Sequence, residues 1–355
     1  MKIGSLDIGH KLFLAPMAEV TDSSFRRICK EQGAGITFTQ MVSAEGVIKN
    51  NFESLRILSF NRNEKPIGVQ VLGNDPAILG EAAKEISRLK PDLIDLNCGC
   101  PVDKVTTNNM GSALLDDPKM IGKIIRKMAD NAGDVPISVK LRLGKDRSHI
   151  NIFETAKAVE DSGGSLVFVH GRARNDKYET EPEWSWIGKV KELVKIPVVG
   201  NGSIFFPQDV KKMIDETGCD SVMVARGALG NPFLFSRYNK LVETGEDPGI
   251  PEINVVKDVL LKHINSIEFE FGEVVALDRA KKQTVWYLKD YPGINFLLEK
   301  VFGLRNFDSL RQLINDHTAK ITSGEYGESD KVDVINKFKK KVLFWLTEDK
   351  TQIQG

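Results

Sequence analysis

The sequence predicts a parallel (β/α)8 TIM barrel followed by a smaller all-helical domain. Eight short apolar runs recur between residues 12 and 227, with amphipathic helical patterns between them. Beyond residue 254, every regularly spaced run has helical periodicity. The 355-residue length, with 41% hydrophobic and 28% charged residues, suits a large barrel with an appendage and excludes a disordered chain. The alternative is an open doubly wound sheet. Eight repeats in about 230 residues favour the barrel.

The runs are LFLAP (12–16), ITFTQ (36–40), IGVQVLG (67–73), LIDLN (93–97), ISVKLR (137–142), LVFVHG (166–171), PVVGNG (197–202) and SVMVARG (221–227). They read as mostly apolar without strict alternation, as strands buried on both faces should be. Thr21 or Asp22 can cap the helix SSFRRICKEQG, which Gly33 ends. Asp75–Pro76 and Asp117–Pro118 each pair a capping acid with proline at the first helical position. The stretch VETGEDPGIPEIN (242–254) reads as a linker. It divides a barrel domain, 1–241, from a helical domain, 255–355. The helical runs are VVKDVLLKHINSIEFEF, VVALDRAKKQTVWYLKDY, INFLLEKVFG, FDSLRQLINDHTAKI and DVINKFKKKVLFWL.

Lys plus Arg number 49 and Asp plus Glu 49, so net charge is zero. Global attraction to nucleic acid is not indicated, which leaves local basic faces. No apolar run reaches the ~18 residues of a membrane helix. The start, MKIGSLDIGHKLFLAP, lacks the apolar core of a signal peptide. Cys29, Cys98, Cys100 and Cys219 make no disulfide framework. A reduced, cytoplasmic, monomeric protein without a membrane partner is expected.

In such a barrel, the chemistry lies at the C-terminal strand ends. Gln70, Asn97, Lys140 and His170 sit in four different strands. Each would cost ~1–3 kcal/mol if buried without a partner. Capping a loop or pairing with a neighbour explains any one of them, but four together point to a shared polar ligand. The glycine-containing ends Asn201-Gly202-Ser203 and Ala225-Arg226-Gly227 suit a phosphate cradle after strands seven and eight. Lys140 and Gln70 would then face the polar edges of a ring system such as flavin mononucleotide (FMN). Cys98 and Cys100 lack a second pair or histidine cluster, so no metal is expected. The C-x-C spacing also argues against a redox disulfide. One functional thiol or two inert ones remain, and Cys100, before a long loop-like segment, is the better chemical candidate.

These motifs resemble the tRNA-dihydrouridine synthases. The resemblance runs from APMAEVTDSSFR through GVQVLG, DLNCGCP, GSALL, VKLRLG, VHGRAR and GNGSI to VMVARGALGNP, and more weakly through DRAKKQTVWYLKDYPG. It implies an NADPH- or NADH-dependent flavoenzyme that reduces the 5,6 double bond of particular uridines in tRNA. It implies that Pro16, Met17, Ala18, Gln70, Lys140, His170, Asn201, Gly202, Ser203, Ala225 and Arg226 contact FMN. It also implies that Cys100 donates the proton and that Asn97 orients the uracil. A uridine within folded RNA would have to flip out of its stack. The chain departs from the family pattern at Ala173, Ser203 and Ala225, and Cys98 receives no catalytic role.

Arg279, Lys282, Trp286 and Lys289 fall at i, i+3, i+7 and i+10, one face of a helix. Spacing alone leaves open a solvated face with Trp286 in the core; the resemblance favours a tRNA-binding face. Lys337, Lys339, Lys340 and Lys341 read as solvated surface. Arg142, Arg172 and Arg174, near the barrel mouth, are expected to steer substrate phosphates. Two other functions compete: an FMN barrel acting on a free small molecule, and a tRNA-binding protein without turnover. The appended helical domain argues against the first, and the intact Cys100, Lys140 and His170 against the second.

Overall fold

A computed structural model describes residues 1–4 and 6–331, without the side chains of Glu273 and Val274. The run DVINKFKKKVLFWL and its four lysines lie outside the described residues.

Eight parallel strands close on themselves: β1 (Phe13–Leu14), β2 (Ile36–Phe38), β3 (Ile67–Leu72), β4 (Leu93–Cys98), β5 (Ile137–Arg142), β6 (Leu166–His170), β7 (Val198–Asn201) and β8 (Ser221–Val224). Each pairs with its sequence neighbour, and β8 returns to β1. All eight expected runs are strands. Helices cover the outside, among them α1 (Ser23–Glu31), α2 (Pro76–Ser87), α3 (Pro118–Asn131), α4 (Ile152–Asp161), α5 (Ser185–Leu193), α6 (Pro207–Thr217) and α7 (Phe233–Thr244). The N-caps act as expected: Asp22 accepts from Phe25 N–H, Asp75 from Ala77 and Ile78, and Asp117 from Met120.

Residues opposite one another on parallel strands face the same side. Gln70 lies opposite Asp95, and Asp95 opposite Ser138. Asn97 lies opposite Lys140, which in turn faces Phe168. His170 lies opposite both Arg142 and Asn201. The inner face of β5 is therefore Ser138, Lys140 and Arg142, while Ile137, Val139 and Leu141 pack outward under the helices. This is strict alternation, unlike the expected pattern. The outer faces are uniformly apolar because helices bury them, whereas the inner face turns polar toward the barrel mouth.

The opposite end of the barrel is apolar. Phe168 packs edge-on against Phe13 at 5.1 Å and Phe38 at 5.5 Å between ring centroids. Gly68 makes room, since a Cβ there would lie 2.2 Å from the Phe38 ring. An N-terminal hairpin, Lys2–Ile3 with Leu6–Asp7, adds Ile3 to this cluster. On the flank, Arg26 and Glu64 form a buried ion pair at 2.7 Å, and Ser23 and Asn61 also donate to the carboxylate.

The chain forms two compact units: Met1–Ala228 with Leu234–Asp247, and Leu229–Phe233 with the chain from Pro248 onward. Residue 242, where composition changes, lies inside α7. The ion pair of Arg237 with Asp247, 2.6 Å apart and buried, ties the following loop back to that helix. The second unit contains α8 (Ile253–Phe271), α9 (Glu273–Leu288), α10 (Ile294–Val301) and α11 (Phe307–Thr322). Leu260, Ile264, Leu288, Leu297 and Leu310 are fully buried between them. Among the described residues, no helix is long and apolar enough to cross a membrane.

Candidate active site at the barrel mouth

Polar side chains of β3, β4 and β5 meet directly inside the barrel. Gln70 Nε2 donates to Asp95 Oδ2 at 2.7 Å, and Ser138 Oγ donates to Asp95 Oδ1 at 2.6 Å. Asn97 Nδ2 donates to Gln70 Oε1 at 2.8 Å. Asn97 Oδ1 accepts from the backbone N–H groups of Gly99 at 3.1 Å and Cys100 at 2.9 Å. Both ends of the Asn97 amide are thus engaged within the protein.

Cys100 is half-buried, whereas Cys29, Cys98 and Cys219 are buried. Burial pushes its thiol pKa up; the Val102 backbone and then Arg142 and Lys140 oppose this. Cys98 follows the outward register of Leu141 and packs in the core. The segment after Cys100 is folded, with a helical turn at Asp103–Thr106 and a 3-10 helix at Gly111–Asp116. Ser112 N–H donates to Cys100 O at 3.0 Å.

The other half of the mouth carries positive charge. Lys140 Nζ donates to Asn201 Oδ1 at 3.1 Å, and Asn201 Nδ2 donates to Met223 O. Burial lowers the Lys140 pKa to about 8, assisted by Arg142 and opposed by Asp95 and Cys100. Burial raises the Asp95 pKa to about 6, against hydrogen bonds from Gln70 and Ser138 and the charge of Lys140. Arg172 lies against His170 and donates to Ser203 Oγ at 2.8 Å. Gly202 and Ser203 take φ of +129° and +53°. Among the described residues, neither N–H meets a backbone acceptor. Trp184 Nε1 donates to Gly202 O at 3.1 Å. Arg226 lies over the rings of Tyr178, 4.6 Å away, and Phe205, 5.5 Å away. Backbone donors without a backbone partner among the described residues, beside the Arg172 guanidinium, suit an anion. Pro16, Met17 and Ala18 follow β1, with the Met17 backbone clasped by Thr21, and Ala225 follows β8.

Among the described residues, the basic side chains singled out in the sequence have partners within the protein. Arg142 and Arg172 are 2% and 1% exposed. Arg142 donates to Gly99 O and Ala173 O; Arg172 donates to Thr180 O and Tyr178 O. Both guanidiniums are engaged with loop carbonyls. Arg174 pairs with Asp116. In α9, Trp286 is 4% exposed and packs inward, whereas Arg279, Lys282 and Lys289 on the same face are half-buried. Lys289 Nζ donates to Leu229 O and Trp286 O and pairs with Asp290. Arg279 lies 4.4 Å above the Phe271 ring. Sequence reasoning missed Asp95, Ser138 and Tyr178. The i, i+2 spacing of Asp95 and Asn97 within LIDLN was the available signal. Among the described residues, no three His, Cys, Asp or Glu side chains converge to hold a metal.

The profile of the dihydrouridine synthase family matches residues 13–320. The chain belongs to this family. Its dihydrouridine synthase relatives include tRNA-dihydrouridine synthase B of Pseudomonas aeruginosa, 37% identical over 293 residues, covering 82% of this chain and 88% of that protein. The probable tRNA-dihydrouridine synthase 1 of Synechocystis sp. is 34% identical over 325 residues, covering 90% of each. Among solved structures, the old yellow enzyme homologue of Zymomonas mobilis superposes with a TM-score of 0.51 at 13% identity, over 72% of this chain and 94% of that one. The 6-hydroxypseudooxynicotine amine oxidase of Pseudomonas geniculata N1 superposes with a TM-score of 0.55 at 14% identity, over 74% of this chain. This chain spans about half of that oxidase, 52%. At these identities, the synthase barrel shares its fold with both.

Proposed function

We propose that this protein reduces the 5,6 double bond of particular uridines in tRNA to dihydrouridine, with FMN at the barrel mouth and NADPH or NADH as electron donor. The observation that carries this reading is Cys100. It is a half-buried thiol fastened by Asn97 at the end of β4, in a barrel of the dihydrouridine synthase family.

The residues present fit the cofactor. Gly202, Ser203 and Arg226 would hold its phosphate, and Lys140 and Asn201 would face its polar ring edge. The turn of Pro16, Met17 and Ala18, with Ala225, would close around it, and Gln70 and His170 would border it. Bound there, FMN supplies the hydride.

The chain's own groups supply the proton. An unperturbed thiol titrates near ~8.5, and burial raises Cys100 further, so Sγ carries its proton at neutral pH. Arg142 and Lys140 favour the thiolate left after transfer. The inward-facing site accepts a base only after it has left its stack. In this reading the helical unit holds tRNA phosphates through Arg279 and Lys282, and the protein works as a cytoplasmic monomer.

The test is Cys100→Ala. The variant should retain flavin absorbance yet form almost no dihydrouridine in unmodified tRNA, mapped nucleotide by nucleotide. Normal turnover, or a wild-type protein that takes up no flavin, would overturn the proposal.

A further inference from the structure

The hydrogen bonds behind Cys100 have a fixed direction. An ionised carboxylate only accepts, and a backbone N–H only donates. Asp95 sits at one end of the relay, and the N–H groups of Gly99 and Cys100 sit at the other. Because Asp95 Oδ2 draws the Gln70 NH2, Gln70 Oε1 turns to Asn97. Because Gln70 Oε1 draws the Asn97 NH2, Asn97 Oδ1 turns to the Cys100 backbone. Reversing either amide would set donor against donor or acceptor against acceptor. Gln70, Asp95, Ser138 and Asn97 are 1%, 1%, 0% and 7% exposed, so water cannot readily replace a broken link.

We propose that Asp95 is the positioning residue for Cys100, acting through the amides of Gln70 and Asn97. Ser138 holds the carboxylate in place, and Asn97 transmits the orientation to the Cys100 N–H. Ser112 N–H clasps the Cys100 carbonyl and Arg142 clasps that of Gly99, so the relay is the part of this clasp that comes from inside the barrel. The placement of Cys100 follows from geometry. Its catalytic consequence rests on the function proposed above, so the test uses thiol reactivity as well as turnover.

Cys29, Cys98 and Cys219 are buried, so alkylation of the folded protein by iodoacetamide reports on Cys100, with Cys100→Ser as the blank. Asp95→Leu leaves Gln70 free to reverse and should speed labelling about fivefold, the scale of one net hydrogen bond. Asp95→Asn keeps the relay: its carbonyl accepts from Gln70, and its NH2 donates to the Ser138 hydroxyl, which turns to accept. It should label within about twofold of wild type by the same measure. Asn97→Ala should label as fast as Asp95→Leu, and the double variant no faster than Asn97→Ala alone. Should Asp95→Leu fail to fold, Gln70→Met breaks the same chain one link on and must show the same acceleration. The proposal is overturned if the relay-breaking variants label at the wild-type rate, if Asp95→Asn labels as fast as Asp95→Leu, or if the effects of Asp95→Leu and Asn97→Ala multiply. Loss of turnover in wild-type protein with this labelling pattern intact would overturn the functional reading and leave the relay standing.

Discussion

Arg172 Nη1 lies 3.1 Å from His170 Nε2, and this contact sets the state of the imidazole. A guanidinium only donates, so Nε2 must accept, and the ring is neutral with its proton on Nδ1. Burial is the largest cause holding the His170 pKa well below its ordinary value, and the charges of Arg142, Lys140, Arg172 and Arg226 act in the same direction.

His170 should therefore titrate well below the ordinary histidine value, with nitrogen chemical shifts of the Nδ1–H tautomer at neutral pH. The sign for stability follows. Below about pH 6.5 the unfolded chain binds a proton that the folded chain refuses, so this residue contributes instability that grows as pH falls. A midpoint near the ordinary histidine value would show that the Arg172 contact does not hold in solution.

Lys140 gives up its proton near pH 8 in the folded protein, against 10.5 as its ordinary value. Between those values the unfolded chain binds more protons, so this residue makes stability rise with pH. Comparing wild type with Lys140→Met by urea unfolding from pH 8 to 10.5 should show a relative gain for wild type, of up to about 3 kcal/mol. A constant difference across that range would mean that Lys140 keeps its charge. Binding that uses the charge, including the proposed flavin contact, should weaken above pH 8.

Gly227 faces the loop after β7. A Cβ there would lie 2.0 Å from Ile204 O, so the backbone itself would have to move. Gly227→Ala should shift the cradle formed by Gly202, Ser203 and Arg226 and weaken FMN binding at least about tenfold, a loss of roughly one charge-assisted hydrogen bond. Gly218→Ala is the control: its φ of +64° brings backbone strain, but no atom lies within 4 Å of the added carbon. Fluorescence titration of apoprotein with FMN separates the two, and equal affinities would remove the cradle from the account.

Much of this was legible beforehand. The eight strand runs, the capping acids and the helical second half follow from local rules of periodicity and turn chemistry. So does the clustering of Gln70, Asn97, Lys140 and His170 at one barrel end, because strand direction sends all their termini the same way. The alternation of Ser138, Lys140 and Arg142 within ISVKLR was present but concealed by an outer face that is as apolar as a core. Asp95 was hidden similarly inside LIDLN. The charge count gave no warning that Arg142, Arg172 and Lys289 would be taken up by backbone carbonyls.

The order of elements and the inventory of reactive groups were determined by the sequence alone, since both depend on neighbours a few residues away. Which groups engage one another was decided by the closed barrel. Its stagger sets Gln70 beside Asn97 and Lys140 beside Asn201, across 27 and 61 residues of chain. A hydrogen bond requires approach within about 3 Å and a matched donor and acceptor, and no local pattern encodes which distant strand will supply the partner.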